Sequence, residues 1–472
     1  MKKTKIICTL GPATDAPGVL EQMLGAGMNV ARFNFSHGTH EDHEKRFREL
    51  ARLRAALKLP VATMLDTRGP EIRLGGFEKP EGVCVSEGDV FTLTTEPCVG
   101  SAERCFVNYD GLPADVKAGD DILINDGLVA MRVEDVVGQE IRCAVVDGGE
   151  LAPGKGVNVP GVRLNMPYLS QRDMDDLSFG KRMDFDFIAA SFCRSATDVR
   201  IMRNYLDAIG WKTVRIIAKI ENAQGVANID EITEAADGVM VARGDMGVEV
   251  PFERIPAIQK MIIKKVYTAG KIVVTATQML ESMINNPRPT RAEITDVAGA
   301  IYDGTSAIML SGESAVGKHP VEAVRTMARI AETTEADIDY KQRFSSAADE
   351  PRGDVTAAIS DATVTAAQDL GAAAIVTVTK SGKTARMISR FRPAVPIVGA
   401  TTDERVLRQL ALSWGVEPVL CEEKDNSDAL FAHAVEVAVG AGYLSPGDVT
   451  VITAGIPLGV SGTTNMLRVQ TV

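Results

Sequence analysis

The stretch VRIIAKIENAQGVANIDEITEAADGVMVARGD, residues 214–245, decides the fold. It opens on a near-continuous apolar run, VRIIAKIE, passes through a segment of helical texture and closes on a second apolar run, GVMVAR. Runs that are apolar at successive positions are strands buried on both faces, and a strand–helix–strand unit joins parallel neighbours. Six more runs of this kind follow the same rhythm: KTKIICTL (3–10), MNVARFNF (28–35), VATMLD (61–66), FDFIAASF (185–192), KIVVTAT (271–277) and TSAIMLS (305–311). Eight such units, most of them trailed by an amphipathic segment, predict an α/β fold built on a closed (β/α)8 TIM barrel.

The series breaks between Asp66 and Phe185. Residues 71–166 hold short alternating runs, VFTLTT, DDILIN and EIRCAVV, divided by Gly, Pro and Asp turns, which predicts a small all-β domain, a β-barrel, inserted after the third strand. Active sites of TIM barrels lie at the C-terminal strand ends, so an insertion there is placed to serve as a lid. The barrel then comprises residues 1–70 and 167–340. Beyond it the pattern restarts with AAAIVTVT, VPIVGAT, VEPVL, DVTVITAG and MLRVQTV, which predicts an open α/β domain over 341–472, with FSSAADEPRGD (344–354) as a linker.

Composition narrows the function. The 472 residues include 51 basic and 63 acidic side chains, a net charge of −12 that argues against a nucleic-acid surface or a polybasic membrane anchor. The start, MKKTKIICTLGPAT, is broken by Thr9, Gly11 and Pro12 and reads as a strand and turn rather than a signal peptide, and no apolar run is long enough to span a bilayer. The seven cysteines are scattered, with no CxxC spacing, as expected of reduced thiols in a cytoplasmic protein. His37, His40 and His43 recur in a charged segment and read as a solvated helix start rather than a metal site.

The unusual polar residues fall at strand ends. Arg32, Asn34 and Ser36 end the second strand on one face; Asp66 and Thr67 end the third, with Arg73 close behind. Lys219 and Glu221 are two apart on the fifth and so enter one pocket, Asp245 follows the sixth strand, Thr277 ends the seventh, and Ser311 and Glu313 follow the eighth. A lone Lys/Glu pair would read as a structural ion pair; charge at so many strand ends does not. Glu221 and Asp245 can hold Mg2+, Arg32, Arg73 and Lys219 can neutralise a phosphoryl group, and the Ala242–Asp245 turn can offer N–H groups to a carboxylate. Phosphoryl transfer without a P-loop is the implied chemistry, since GxxxxGK[ST] is absent.

These stretches resemble the pyruvate kinase family: GMNVARFNFSHG (27–38), LDTRGPEIR (65–73), IIAKIEN (216–222), VMVARGDMGVEVP (239–251), TATQMLESM (275–283) and NPRPTRAEITDVAGAIYDGTSAIMLSGESA (286–315). The resemblance implies transfer of a phosphoryl group from phosphoenolpyruvate to ADP, giving pyruvate and ATP. It implies Lys219 at the phosphoryl group and enolate oxygen, Glu221 and Asp245 on Mg2+, and Asn34, Ser36, Asp66 and Thr67 on K+. It further implies Arg32 and Arg73 at phosphates, Gly244 and Asp245 at the substrate carboxylate, and Thr277 near the proton that reaches the enolate. Pro12, Asn34, His37, Arg73 and Arg172 match nucleotide-side positions. Two other readings remain open: a Mg2+-dependent pyruvate or phosphoenolpyruvate lyase or aldolase, and an inactive regulatory homologue.

Departures from the family pattern bear on cations and regulation. Arg68 and Arg172 stand where lysine is usual, Leu74 where many K+-dependent members have threonine, while Glu71 matches the residue associated with K+ dependence; K+ activation is expected. Thr379, Lys380, Ser381, Gly382, Lys383 and Thr384 resemble the effector-phosphate loop, with hydroxyls and amides free to surround a phosphate. The loop AGIPLGVSGTTN (454–465) lacks the Trp and Arg of members that answer to a bisphosphate. A sugar or nucleotide monophosphate activator is therefore expected, as is a homotetramer. The sequence stops at Val472 and is expected to lack the extra C-terminal module of some bacterial members.

Overall fold

The computed structural model describes residues 2–347, 354–424, 426–456 and 464–472. Eight parallel strands close into a barrel: β1 (Lys5–Thr9), β2 (Val30–Asn34), β3 (Ala62–Asp66), β4 (Phe187–Ala190), β5 (Arg215–Ile220), β6 (Gly238–Ala242), β7 (Ile272–Ala276) and β8 (Ala307–Leu310). Closure comes from β1, which pairs with both β2 and β8. Every residue of β1, β3, β6 and β7 is buried, because alternate side chains serve two cores. Ile7, Met64, Ile217, Met240 and Val274 pack together inside the barrel. Their neighbours Ile6, Leu65, Ile216, Val239 and Val273 meet the surrounding helices. The absence of hydrophobic alternation in the sequence is thus the signature of a sheet covered on both sides.

Helix starts are fixed locally. Thr39, Ser170 and Thr290 each accept from the backbone N–H three residues on, and Asp42, Asp173 and Glu293 return the bond. Such caps contribute about 1 kcal/mol each.

Between β3 and β4 a mainly antiparallel seven-stranded sheet runs from Ile72 to Asn158. Its edge strands, Ile72–Arg73 and Arg104–Phe106, meet through the Leu74–Val107 bridge and a 2.7 Å bond from Gly75 N to Phe106 O, so the sheet curls shut around Phe91, Leu93, Ile122, Met131 and Ile141. Here inward and outward residues do alternate, as along Val129–Val137. This small barrel sits over the C-terminal ends of the large one, where Asn158 Nδ2 donates to Glu249 Oε1 at 3.0 Å.

The C-terminal sheet comprises β9 (Ala374–Val378), β10 (Ile397–Thr401), β11 (Val416–Leu420), β12 (Val449–Ala454) and β13 (Met466–Thr471). It is open, in the order β11-β10-β9-β12-β13, parallel except for the last pair, with an apolar cluster on each face. It packs on the opposite, N-terminal ends of the barrel strands. Leu412 joins the barrel's interior core, Arg408 Nε donates to Asp186 Oδ1 at 2.8 Å, and Lys5 Nζ reaches Glu417 at 2.9 Å. The expected linker begins instead as the end of a helix, Tyr340–Ala347, anchored where the Tyr340 ring meets Trp414 and the Lys3 ammonium. Residues 348–353 of that segment and 457–463 of the AGIPLGVSGTTN loop lie outside the described residues. No helix among the described residues is long and apolar enough to cross a membrane.

Candidate active site

The interior row of β5 runs Arg215, Ile217, Lys219, so the lysine emerges at the C-terminal mouth, and Glu221 follows on the same side. Lys219 Nζ lies 3.0 Å from Asp66 Oδ1, 2.8 Å from Ser191 Oγ and 2.9 Å from Glu221 Oε1. Asp66, paired in register with Asn34 across β2 and β3, gives its other oxygen to Arg32 Nε at 2.6 Å, and Arg32 also donates to Thr9 Oγ1 at 2.9 Å. Thr67 interlocks with the same layer: its hydroxyl accepts from Ser191 N and its carbonyl from Ser191 Oγ at 2.6 Å.

Burial pulls the Lys219 ammonium down, yet the Asp66 and Glu221 carboxylates outweigh it and hold the group above the ordinary lysine value. Burial likewise works against ionised Asp66, but Arg32 and Lys219 keep it below the usual carboxylate range. Glu221 is different. Burial pushes it up to about 8, with Lys219 pulling down and the negative charge of Asp245 pushing further up. One of its oxygens accepts from Phe192 N at 2.6 Å, while Oε1 accepts no hydrogen bond although Lys219 is near.

Two acids that repel, one with a buried oxygen that accepts no hydrogen bond, fit a hard divalent cation. Mg2+ is often held by one or two carboxylates plus substrate oxygens, which suits Glu221 and Asp245; no group of three or more His, Cys, Asp or Glu gathers among the described residues. Asn34 and Asp66 are register partners, Ser36 N donates to Asn34 Oδ1 and Thr67 follows Asp66; each of the four carries a side-chain oxygen, the donor K+ prefers, although Asp66 already balances two cations.

Arg32, Asn34, Ser36, His37, Arg73, Lys219, Glu221 and Asp245 line one cleft of 450 Å³ between the two barrels. Thr277 flanks it, with its hydroxyl accepting from Gly244 N at 2.8 Å. Arg73 is held by Glu71 Oε2 and by the Gly154 carbonyl of the inserted sheet. Pro12 and Arg172 are not among the lining residues: Pro12 opens an exposed turn after β1, and Arg172 lies exposed on the Gln171–Met183 helix, near enough to Arg68 to oppose its charge.

The triple histidine is not a metal site, and the solvated reading fails for His43. Its helix turns that ring onto Phe35 at 4.3 Å, Nε2 meets the His37 carbonyl, and burial pulls it down to about 4. His40 stacks on Phe179 and meets Asp176.

In the Thr379–Thr384 turn, Lys380 is exposed, whereas the Thr384 hydroxyl is paired with that of Thr464 at 3.0 Å and both threonines at the ends of the turn are buried. The Ser381 carbonyl accepts from Arg386 and from Arg215, at the start of β5.

Several lining residues escaped the sequence. Ser191, a direct partner of Lys219, follows the last residue of β4 within the FDFIAASF run and was legible as a polar strand end. Asn125, Asp126, Lys155 and Asn158 come from the insertion, and nothing local marks them.

A family model described as pyruvate kinase, barrel domain, matches residues 1–324, and one described as pyruvate kinase, alpha/beta domain, matches residues 357–470. The chain belongs to the pyruvate kinase family. It is 48% identical to pyruvate kinase of Clostridium acetobutylicum, over the whole of both chains, and 48% identical to that of Geobacillus stearothermophilus, covering all of this chain and 80% of the relative. A solved pyruvate kinase from Cryptosporidium parvum matches with a TM-score of 0.94 at 36% identity, over all of this chain and 96% of that one. Its activity is that of a pyruvate kinase, which sets aside the lyase and inactive-homologue readings, and the family generally uses Mg2+ and K+.

Proposed function

We propose that the cleft moves the phosphoryl group of phosphoenolpyruvate to ADP, after which the enolate takes up a proton at its methylene carbon to become pyruvate. The observation that carries this is the Lys219 ammonium, held by Asp66, Ser191 and Glu221 where strand ends open into the cleft. Phosphoryl transfer asks for position and charge rather than covalent help, and a buried cation on three fixed partners supplies both. Lys219 faces the phosphoryl group in flight and then the enolate oxygen. Arg32 and Arg73 clamp phosphates from either side. The Gly244–Asp245 turn, opening the Arg243–Glu249 helix, receives the substrate carboxylate beside the Thr277 hydroxyl that Gly244 N already engages, and Thr277 stands beside the carbon to be protonated.

Glu221 and Asp245 are the residues that would hold Mg2+. Bound there, the ion would neutralise charge on the phosphoryl and enolate oxygens. Asn34, Ser36, Asp66 and Thr67 would hold K+, and Pro12, Asn34, His37, Arg73 and Arg172 the nucleotide. Lys219→Met should lower pyruvate formation by about 10³-fold in a coupled assay while phosphoenolpyruvate still binds. Full turnover in that variant overturns the assignment. Full activity in K+-free buffer would remove the K+ site.

We read residues 1–70 and 167–340 as the catalytic domain, 71–166 as its lid and 341–472 as the effector domain, with Thr379–Thr384 cradling a sugar or nucleotide monophosphate. Supporting this, the Ser381 carbonyl touches Arg215, on the strand that carries Lys219. Substituting Lys380 and Thr384 should abolish activation and spare saturated turnover; activation that survives sinks the proposal. A homotetramer is also proposed. It is supported by a groove of 990 Å³ along the Arg291–Asp303 and Pro320–Asp337 helices, with Ile294 and Tyr302 exposed, and light scattering of the native protein tests it.

A further inference from the structure

Ser311 and Glu313 follow β8 at the catalytic end of the barrel, and neither lines the cleft. Glu313 has no exposed surface, and its carboxylate accepts two backbone N–H groups: Leu280 N on Oε1 at 3.0 Å and Ser311 N on Oε2 at 2.7 Å. Leu280 lies in the loop after β7, three residues beyond Thr277. One buried carboxylate therefore ties the loop that carries Thr277 to the end of β8.

That loop needs a tie. Thr277 and Gln278 have φ of 69° and 56°, two consecutive left-handed residues. A β-branched side chain holds that conformation only where its surroundings impose it. From the β6 side, Arg243 donates to the Thr277 carbonyl at 2.6 Å and Gly244 N to its hydroxyl at 2.8 Å. Glu313 is the restraint from the β8 side. Both of its partners are donors, so both oxygens must accept; an amide in its place would set an N–H against one of them and release one loop.

We propose that Glu313 is a positioning residue for the proton step, holding the Thr277 hydroxyl where protonation of the enolate carbon is served. This rests on the assignment of Thr277 to that step. The test is a double-mutant cycle read by exchange of pyruvate methyl protons for solvent deuterium, followed by NMR on the Mg2+- and K+-loaded enzyme. Glu313→Gln should slow exchange and kcat by about tenfold or more, with KM for phosphoenolpyruvate moving less than about threefold. In a Thr277→Ala background the same substitution should cause no further loss. Equal losses in both backgrounds, or unchanged exchange in Glu313→Gln, overturn the proposal. If Thr277→Ala alone exchanges like the native enzyme, the assignment of Thr277 fails, and the proposal with it. Should Glu313→Gln not fold, the cycle is run with Glu313→Asp, whose shorter carboxylate loses reach to one loop while keeping its charge; non-additivity is again expected, and additivity is fatal.

Discussion

Asp186 and Glu221 are both carboxylates without exposed surface, at opposite ends of one barrel, and burial raises the proton affinity of each. Asp186, just before β4, is fully engaged: Arg408 Nε on one oxygen, the N–H and hydroxyl of Thr63 on the other. Glu221, just after β5, shares the Lys219 ammonium with Asp66, leaves Oε1 without an aligned hydrogen bond and faces the like charge of Asp245. Burial and a raised proton affinity are therefore shared by architecture and chemistry. What separates them is how completely the protein answers the charge: fully at Asp186, but at Glu221 only in part, with Lys219 shared and Asp245 opposing.

The contrast can be broken most forcefully at its architectural end. Asp186→Asn removes the buried half of the Arg408 pairing and leaves that guanidinium with Asp184 Oδ2 alone, at 3.2 Å, at the seam with the C-terminal sheet, and unfolding by denaturant should show a loss of about 3 kcal/mol. Turnover per folded molecule should stay near native; a stable but inactive variant would mean that the two ends are not separable.

His43 sharpens the same point through pH. Its Nε2 is satisfied by the His37 carbonyl while Nδ1 is buried without a partner, so a second proton has nowhere to point. The folded value of about 4 lies below the ordinary 6.5. Between those values the unfolded chain binds more protons, so the stabilisation is complete above pH 6.5 and drains away as pH falls toward 4, by on the order of 3 kcal/mol. Unfolding midpoints followed against pH should flatten in His43→Gln; parallel profiles would contradict the assignment.

The smallest effect is expected where the inserted barrel touches the large one. Asn158→Ala removes the bond to Glu249 and should raise KM for phosphoenolpyruvate about fivefold, with kcat little changed, if that contact helps to close the cleft. An unchanged KM would leave the contact structural.

Much of this was legible in the residues. The barrel strands announce themselves because burial on both faces removes alternation, and the polar residues that interrupt them, Lys219, Glu221 and Asp66, stand out against an apolar background. Ser191, just beyond β4, obeys the same rule. Asn158 and Asp126 obey no such rule: they sit in a strand and a turn of the insertion and reach the cleft only because that sheet closes over the barrel mouth. The left-handed backbone of Thr277 and the burial of His43 are likewise products of packing, and a charged sequence context pointed the wrong way for the histidine.

Glu221, paired with Lys219 yet short of a hydrogen bond at Oε1 and opposed by Asp245, is the working end of the barrel. Pyruvate formation from phosphoenolpyruvate and ADP, titrated with Mg2+ at saturating K+, tests it in the native protein and in Glu221→Gln. Mg2+-dependent turnover is expected in the native enzyme, and in the variant a loss of about 10²–10³-fold with a right-shifted Mg2+ response and no loss of thermal stability. Native turnover and an unshifted Mg2+ response in Glu221→Gln would contradict it.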